Sequence, residues 1–210
     1  RGTFGDRSPK ADRLSATALD RLAERVRSEG SPLSVRPVGP SSEGPDSAGF
    51  GQLAAAGPRT RDRAAEYAFV VEAVREGYLC HYSRSRVLAD PDPDLSLLAG
   101  DLFYAIGISE LAALEDLEST GILSDLIRGV AELQAAGEPE LAETLWLAQI
   151  VALACGKDAA LEELVGRLEA GEIESPDALL DWSRSKTSSH GLRREFDNAQ
   201  TAIDSGPSKS

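Results

Sequence analysis

The chain has 210 residues, of which 41% are hydrophobic and only 5% aromatic, a length that suits one domain with appendages and a composition that suits packed Leu/Ala helices better than a Val/Ile/Tyr sheet. The formal net charge is −13, and the two cysteines exclude a disulfide scaffold or a cysteine-based zinc ribbon. No uncharged apolar run of about 18 residues is present, so a membrane-spanning helix is not expected.

Residues 1–60 form the first zone, expected as one helix followed by an extended N-terminal arm. Over 11–29, Leu14, Ala18, Leu19, Leu22 and Val26 fall on one helical face, and Gly30 is suited to end it. From 30 to 58 the chain carries Pro32, Pro37, Pro40, Pro45 and Pro58 among many Gly and Ser. Few of these residues can fill a core, which predicts a linker, or an arm that orders along a partner.

Residues 61–182 are expected to be the folded body. The first body helix, over 60–82, has a broad apolar stripe of Ala64, Tyr67, Ala68, Val71, Val74, Tyr78 and Leu79. Asp90-Pro91-Asp92-Pro93-Asp94 then breaks the chain, with Asp94 the expected N-cap of the next helix. That helix, 95–114, is apolar on nearly every side, with Asp101 and Glu110 its only charges. Such a helix belongs at the centre of a bundle or inside an interface. Gly100 and Gly107 are seven apart and share a face, which allows another backbone to come close; a helical glycine otherwise costs about 1 kcal/mol against Ala. Gly100, Asp101, Phe103, Tyr104 and Gly107 are therefore the core or interface candidates.

Amphipathic helices follow over 117–136, 139–154 and 157–169, with a short last one over 178–182. Gly137 closes the first of these, and Pro139 with Glu138, Glu140 and Glu143 opens the second. No period-two alternation is found, so the fold class is an all-α bundle of about five to six helices. Residues 183–210 read as a polar C-terminal tail. Within it, 192–203 aligns Leu192, Phe196, Ala199 and Ile203 into a weak helix that must dock to be stable.

The charge is unevenly spread. Residues 64–183 hold six Lys/Arg against twenty-four Asp/Glu, whereas 1–63 hold eleven against eight and 184–210 five against three. An acidic body repels a phosphate backbone, so no nucleic-acid partner is expected; the basic arms could instead meet an acidic protein surface. The chain contains no Met, so Arg1 is not expected to be a translated start, and residues 1–10 hold no apolar signal core. The expected location is cytoplasmic.

Few residues suggest chemistry. Cys80 and His81 are adjacent and point to different sides of a helix, while Cys155 and His190 lie far off in sequence, so no zinc site or thiol–base pair is expected and both cysteines read as buried structure. No glycine-rich phosphate loop, GxSxG or HExxH is present. Asp90, Asp92 and Asp94 read as a turn and cap. Glu72 and Glu76, four apart on one helix, could hold a divalent ion but read as a solvated acidic face. Asp101, in a helix without a polar side, is expected to be buried and paired with Arg84, Arg86 or Arg128. No catalytic, metal or cofactor-binding residue is assigned, and no cofactor is expected.

Leu97-Leu98-Ala99-Gly100-Asp101, followed by a second amphipathic helix and Gly137-Glu138, resembles the central part of trans-isoprenyl diphosphate synthases. Over residues 66–140 the likeness is closest to the non-catalytic small subunit of the heptaprenyl enzymes. It implies that the two helices build the core and the dimer interface. It also marks a departure, because the stretch where catalytic members carry DDxxD reads Val74-Arg75-Glu76-Gly77-Tyr78-Leu79-Cys80-His81-Tyr82 here, without an aspartate. No second aspartate-rich motif follows over 153–182, and diphosphate ionisation needs clustered magnesium. The expectation is a non-catalytic accessory subunit, not an enzyme alone, that associates with a protein partner as a hetero-oligomer, or with itself as a homodimer. The alternatives are a small regulatory subunit of a prenyl synthase shaping a hydrophobic product tunnel, or an isoprenoid- or lipid-binding helical module.

Overall fold

The computed structural model describes residues 9–29, 33–36, 49–172 and 176–204. Among them the chain is all-α, as expected, with nine helices and no strand. In order these are α1 (Pro9–Ser28), α2 (Gly49–Ala56), a 3-10 turn (Arg61–Arg63), α3 (Ala64–Tyr82), α4 (Pro93–Ala113), α5 (Leu117–Ala136), α6 (Pro139–Cys155), α7 (Ala159–Glu169), α8 (Asp177–Ser189) and α9 (Arg193–Asp204). An isolated antiparallel bridge joins Val35 to Leu88.

Two helices form the centre. α3 is buried without a break from Tyr67 to Tyr78, and α6 from Thr144 to Cys155. They face each other through large side chains. Trp146 of α6 lies 5.7 Å from the Tyr78 ring of α3, and Arg75 of α3 pairs with Glu143 of α6 at 2.8 Å. Between them sits α2, whose Phe50 ring is 5.5 Å from Trp146.

The position of α2 corrects the reading of 49–56 as part of an arm. Its sequence GFGQLAAA is too short for a periodic signal, yet every residue from Gly49 to Ala55 is buried. Small residues make this possible, since a methyl on Gly49 would lie 2.5 Å from the Ala199 Cα on α9. Thr60, fully buried, donates its hydroxyl to the Ala54 carbonyl and holds the end of α2. Gly30, Pro32, Pro37, Pro40 and Pro45 lie outside the described residues. α1 also joins the core, burying Ala18, Leu19, Leu22, Ala23 and Val26.

The expected central helix is peripheral instead. α4 buries Ala99, Gly100, Phe103, Ile106, Gly107 and Leu111 against its neighbours and turns its other side outward. Its all-round apolarity comes partly from small residues such as Ala105, Ala112 and Ala113, which bear exposure at little cost. α4 is long and apolar enough to cross a bilayer by length and composition, although Asp101 and Glu110 interrupt it; a third of that window, 33%, is buried in the protein. Its N-cap is Asp92, not Asp94. Asp92 accepts from the Leu95 amide at 2.9 Å while Pro93 occupies the first helical position.

Residues 183–204 are likewise part of the body. α8 continues to Ser189 because its hydroxyls are satisfied inside the helix. Ser183 donates to the Leu179 carbonyl and Thr187 to the Ser183 carbonyl, each at 2.7 Å. α9 then docks Phe196 and Ala199 into the core, with Leu192 buried just before it. It packs against α2 and α8.

Asp158 clamps α7 to α8. It caps α7 by accepting from the Leu161 amide at 3.1 Å, and it accepts from Trp182 Nε1 at 2.9 Å and Lys186 Nζ at 2.8 Å. Burial pushes its carboxyl up, but Lys186, the Leu161 amide and Trp182 outweigh this and hold it below the ordinary 3.8. A carboxylate depressed on folding adds stability above its unfolded pKa, and that contribution is lost as pH falls through the native value. Asp158→Ala is thus expected to cost about 1–2 kcal/mol at pH 7. In urea titrations at decreasing pH, the gap from the unsubstituted protein should narrow below about pH 4.

Candidate functional site

The sequence candidates gather on the seam between α3 and α4. Gly107 lies against α3, where a methyl would meet Val74 Cγ2 at 2.6 Å and the Val70 carbonyl at 3.2 Å. About two turns away, Gly100 lies under the His81 ring, where a methyl would come 2.6 Å from Nε2. From the opposite helix Gly77 gives way to the Tyr104 ring at 2.6 Å. Three glycines contributed by two helices thus let α3 and α4 pack closely. Gly77 has no signal in one dimension, because its partner is an aromatic on another helix.

Phe103 is fully buried and belongs to the cluster that α4 shares with α1, together with Leu22, Val26, Phe69 and Leu88. Tyr104 stacks on His81, ring centroids 5.5 Å apart and 15° from parallel. Burial, with the nearby tyrosines, holds its phenol well above the ordinary range. Ser96 donates to the Cys80 carbonyl at 2.8 Å and ties the start of α4 to α3.

Asp101 is not buried. Its side chain is 74% exposed, and its partner is His81 Nε2 at 3.3 Å. The three arginines expected to neutralise it are committed elsewhere. Arg84 pairs with Asp90 at 2.8 Å, Arg128 with Glu169 at 2.6 Å, and Arg86 enters the core. The outer side of α4 is consequently apolar with Asp101 its one charge over residues 97–109. Leu97 is 48% and Leu98 66% exposed there, with Leu102 half-buried beside them.

The buried charges are on α3. Glu72 and Glu76, read as a solvated face, are each fully buried. Both carboxylates hold Arg86, Glu72 Oε2 at 2.7 Å and Glu76 Oε1 at 2.5 Å. The Ser85 hydroxyl and the Arg86 amide donate to Glu76 at 2.7 and 3.1 Å, and the Gly51 amide donates to Glu72 at 2.8 Å. Burial alone would lower the Arg86 pKa, but the two carboxylates raise it, so the guanidinium stays charged. The signal for this lay in their neighbours, since Val70, Val71, Ala73 and Val74 leave α3 no polar side.

Arg75 is the second buried cation. Its guanidinium lies 4.9 Å from the Phe50 ring, 4.8 Å from Tyr78 and 5.1 Å from Trp146, a stacking geometry that offsets desolvation. The Tyr78 hydroxyl accepts from Gln134 Nε2 at 2.7 Å. These charges are spent on one another and on amides, an arrangement that pins helices together.

Both cysteines are buried. Burial, with the Glu76 charge, pushes the Cys80 thiol up to about 12, and burial pushes Cys155 up to about 11, so neither offers a thiolate near neutrality. Among the described residues no group of three or more His, Cys, Asp or Glu side chains is placed to share an ion. Compared with known proteins, the chain matches no family model, no curated protein and no solved structure.

Proposed function

We propose that this protein is a non-catalytic helical subunit that acts by association with another protein through the outer face of α4. The observation that carries the reading is the contrast between the two sides of that helix. One side is locked against α3 by glycines, while the other presents Leu97 and Leu98 to solvent with a single charge. Apolar side chains on a rigid, preorganised helix are the usual centre of a helix-packed interface. The likeness to small prenyl synthase subunits fits the same reading, in which a catalytic partner would supply the magnesium site. It is supported by the engagement of Glu72 and Glu76 with Arg86, which leaves the corresponding stretch of α3 without a free carboxylate for magnesium.

The test is isolation of the full chain from its source cells under mild conditions, with native mass measurement, beside the Leu97→Glu/Leu98→Glu variant. Both positions are largely exposed, so the monomer's thermal stability should barely change. The expected result is a defined assembly that the double substitution dissolves. A chain that runs as a lone monomer, or an assembly indifferent to the substitution, would overturn the reading. A second copy as the only partner would place the interface in a homodimer.

A further inference from the structure

Away from α4, the helices α5, α6 and α7 leave a cavity of about 410 Å³ between them, a size suited to a small molecule. Leu141, Leu145 and Gln149 of α6 line it, each four residues from the next and so on one stripe. Val165 and Leu168 of α7 face them. Gly129 of α5 lets Leu145 come close to its backbone, since a methyl there would lie 2.8 Å from Leu145 Cδ2.

The floor and the rim differ in chemistry. On the floor, Gln149 is only 4% exposed, and among the described residues its Oε1 has no hydrogen-bond partner. A buried carbonyl oxygen without a donor is destabilising, and a ligand N–H can remove that cost. On the rim stand Asp125, Glu132, Glu138 and Glu169, with no Lys or Arg among the residues lining the cavity. Arg128 joins the α5 and α7 walls, 2.6 Å from Glu169, 3.4 Å from Glu132 and 3.7 Å from Asp125. One guanidinium among four carboxylates leaves the rim negative.

We propose that this cavity binds an apolar primary amine that carries an N–H donor on its ring or chain. The hydrocarbon fills the Leu/Val walls, the ammonium rests on the carboxylate rim, and the N–H donates to Gln149 Oε1. An anion of the same shape is repelled by the rim, which also excludes diphosphate-headed lipids. The site is separate from the outer face of α4, so it stands or falls independently of the subunit reading.

Titration calorimetry on the full chain with tryptamine tests this, beside indole-3-propionate and 1-methyltryptamine. Tryptamine has the ammonium and the indole N–H, the acid reverses the charge, and the methylated amine lacks the donor. The expected result is saturable tryptamine binding, with the acid and the methylated amine each weaker by roughly tenfold. In Gln149→Leu the two amines should bind alike. Val165→Trp, at a half-buried position that tolerates the added bulk, should abolish binding of both. Binding of the acid as tightly as the amine would overturn the proposal. So would continued preference for tryptamine in Gln149→Leu, or no saturable binding of tryptamine at all.

Discussion

Replacing Arg86 with alanine is expected to destabilise the protein by about 3–5 kcal/mol at neutral pH, because it strands Glu72 and Glu76 inside α3 without their cation. Neither carboxylate has a route to water, as both side chains are essentially inaccessible. The donors that would remain are the Gly51 amide and the Ser85 hydroxyl, with the backbone amide of residue 86, and these solvate ions far less well than a guanidinium. Removing all three charges, as Glu72→Gln/Glu76→Gln/Arg86→Met, should be less damaging than Arg86→Ala alone. No ion is left uncompensated, and each glutamine keeps an oxygen for the amide and hydroxyl donors. Urea midpoints for the single and triple variants check this. A single variant within about 1 kcal/mol of the unsubstituted protein would mean that the carboxylates find water when the cation is lost.

The second large effect is at Trp146. This fully buried indole touches Phe50, Tyr78 and the Arg75 guanidinium, and with them fills the space between α3 and α6. Trp146→Ala is expected to cost about 3–5 kcal/mol, from lost burial plus the cavity left behind. Trp146→Phe should cost much less, about 1 kcal/mol. It retains a ring for Arg75 and removes an indole N–H that has no acceptor. Thermal unfolding of both variants separates the two contributions. Equal losses would show that the indole nitrogen matters more than the filled volume.

The helices legible in the sequence are those with both a periodic face and punctuated ends. α5 is the clearest case: Asp116 caps it by accepting from the Ser119 amide at 3.0 Å, and Gly137 ends it at φ 81°. α1 and α6 likewise lie within a few residues of their expected spans. Two features escape a one-dimensional reading. α2 has eight residues set in a Pro/Gly/Ser-rich stretch, and its burial depends on glycines whose partners lie on distant helices. The relative depth of α3 and α4 is inverted, because hydropathy ranks a helix by its own residues. The charges on α3 are neutralised from elsewhere by Arg86 and Glu143, whereas among the described residues Leu97 and Leu98 of α4 stay exposed. At the candidate site, the seven-residue spacing of Gly100 and Gly107 put them on one face, but the exposure of Asp101 and its pairing with His81 depend on which side of α4 meets α3.

The seating of α2 on α9 has a consequence for biosynthesis. Gly49 and Ala199 touch, although nearly the whole body separates them along the chain. At translation speeds of about 5–20 residues per second, α2 must wait roughly 7–30 s after it is made before its last neighbour exists. During that interval its Phe50 and Leu53 side chains belong to an unfinished cavity that α9 has yet to close. The nascent chain therefore reaches its native packing only near the end of synthesis, and chaperone demand should concentrate on this early, apolar, glycine-rich segment.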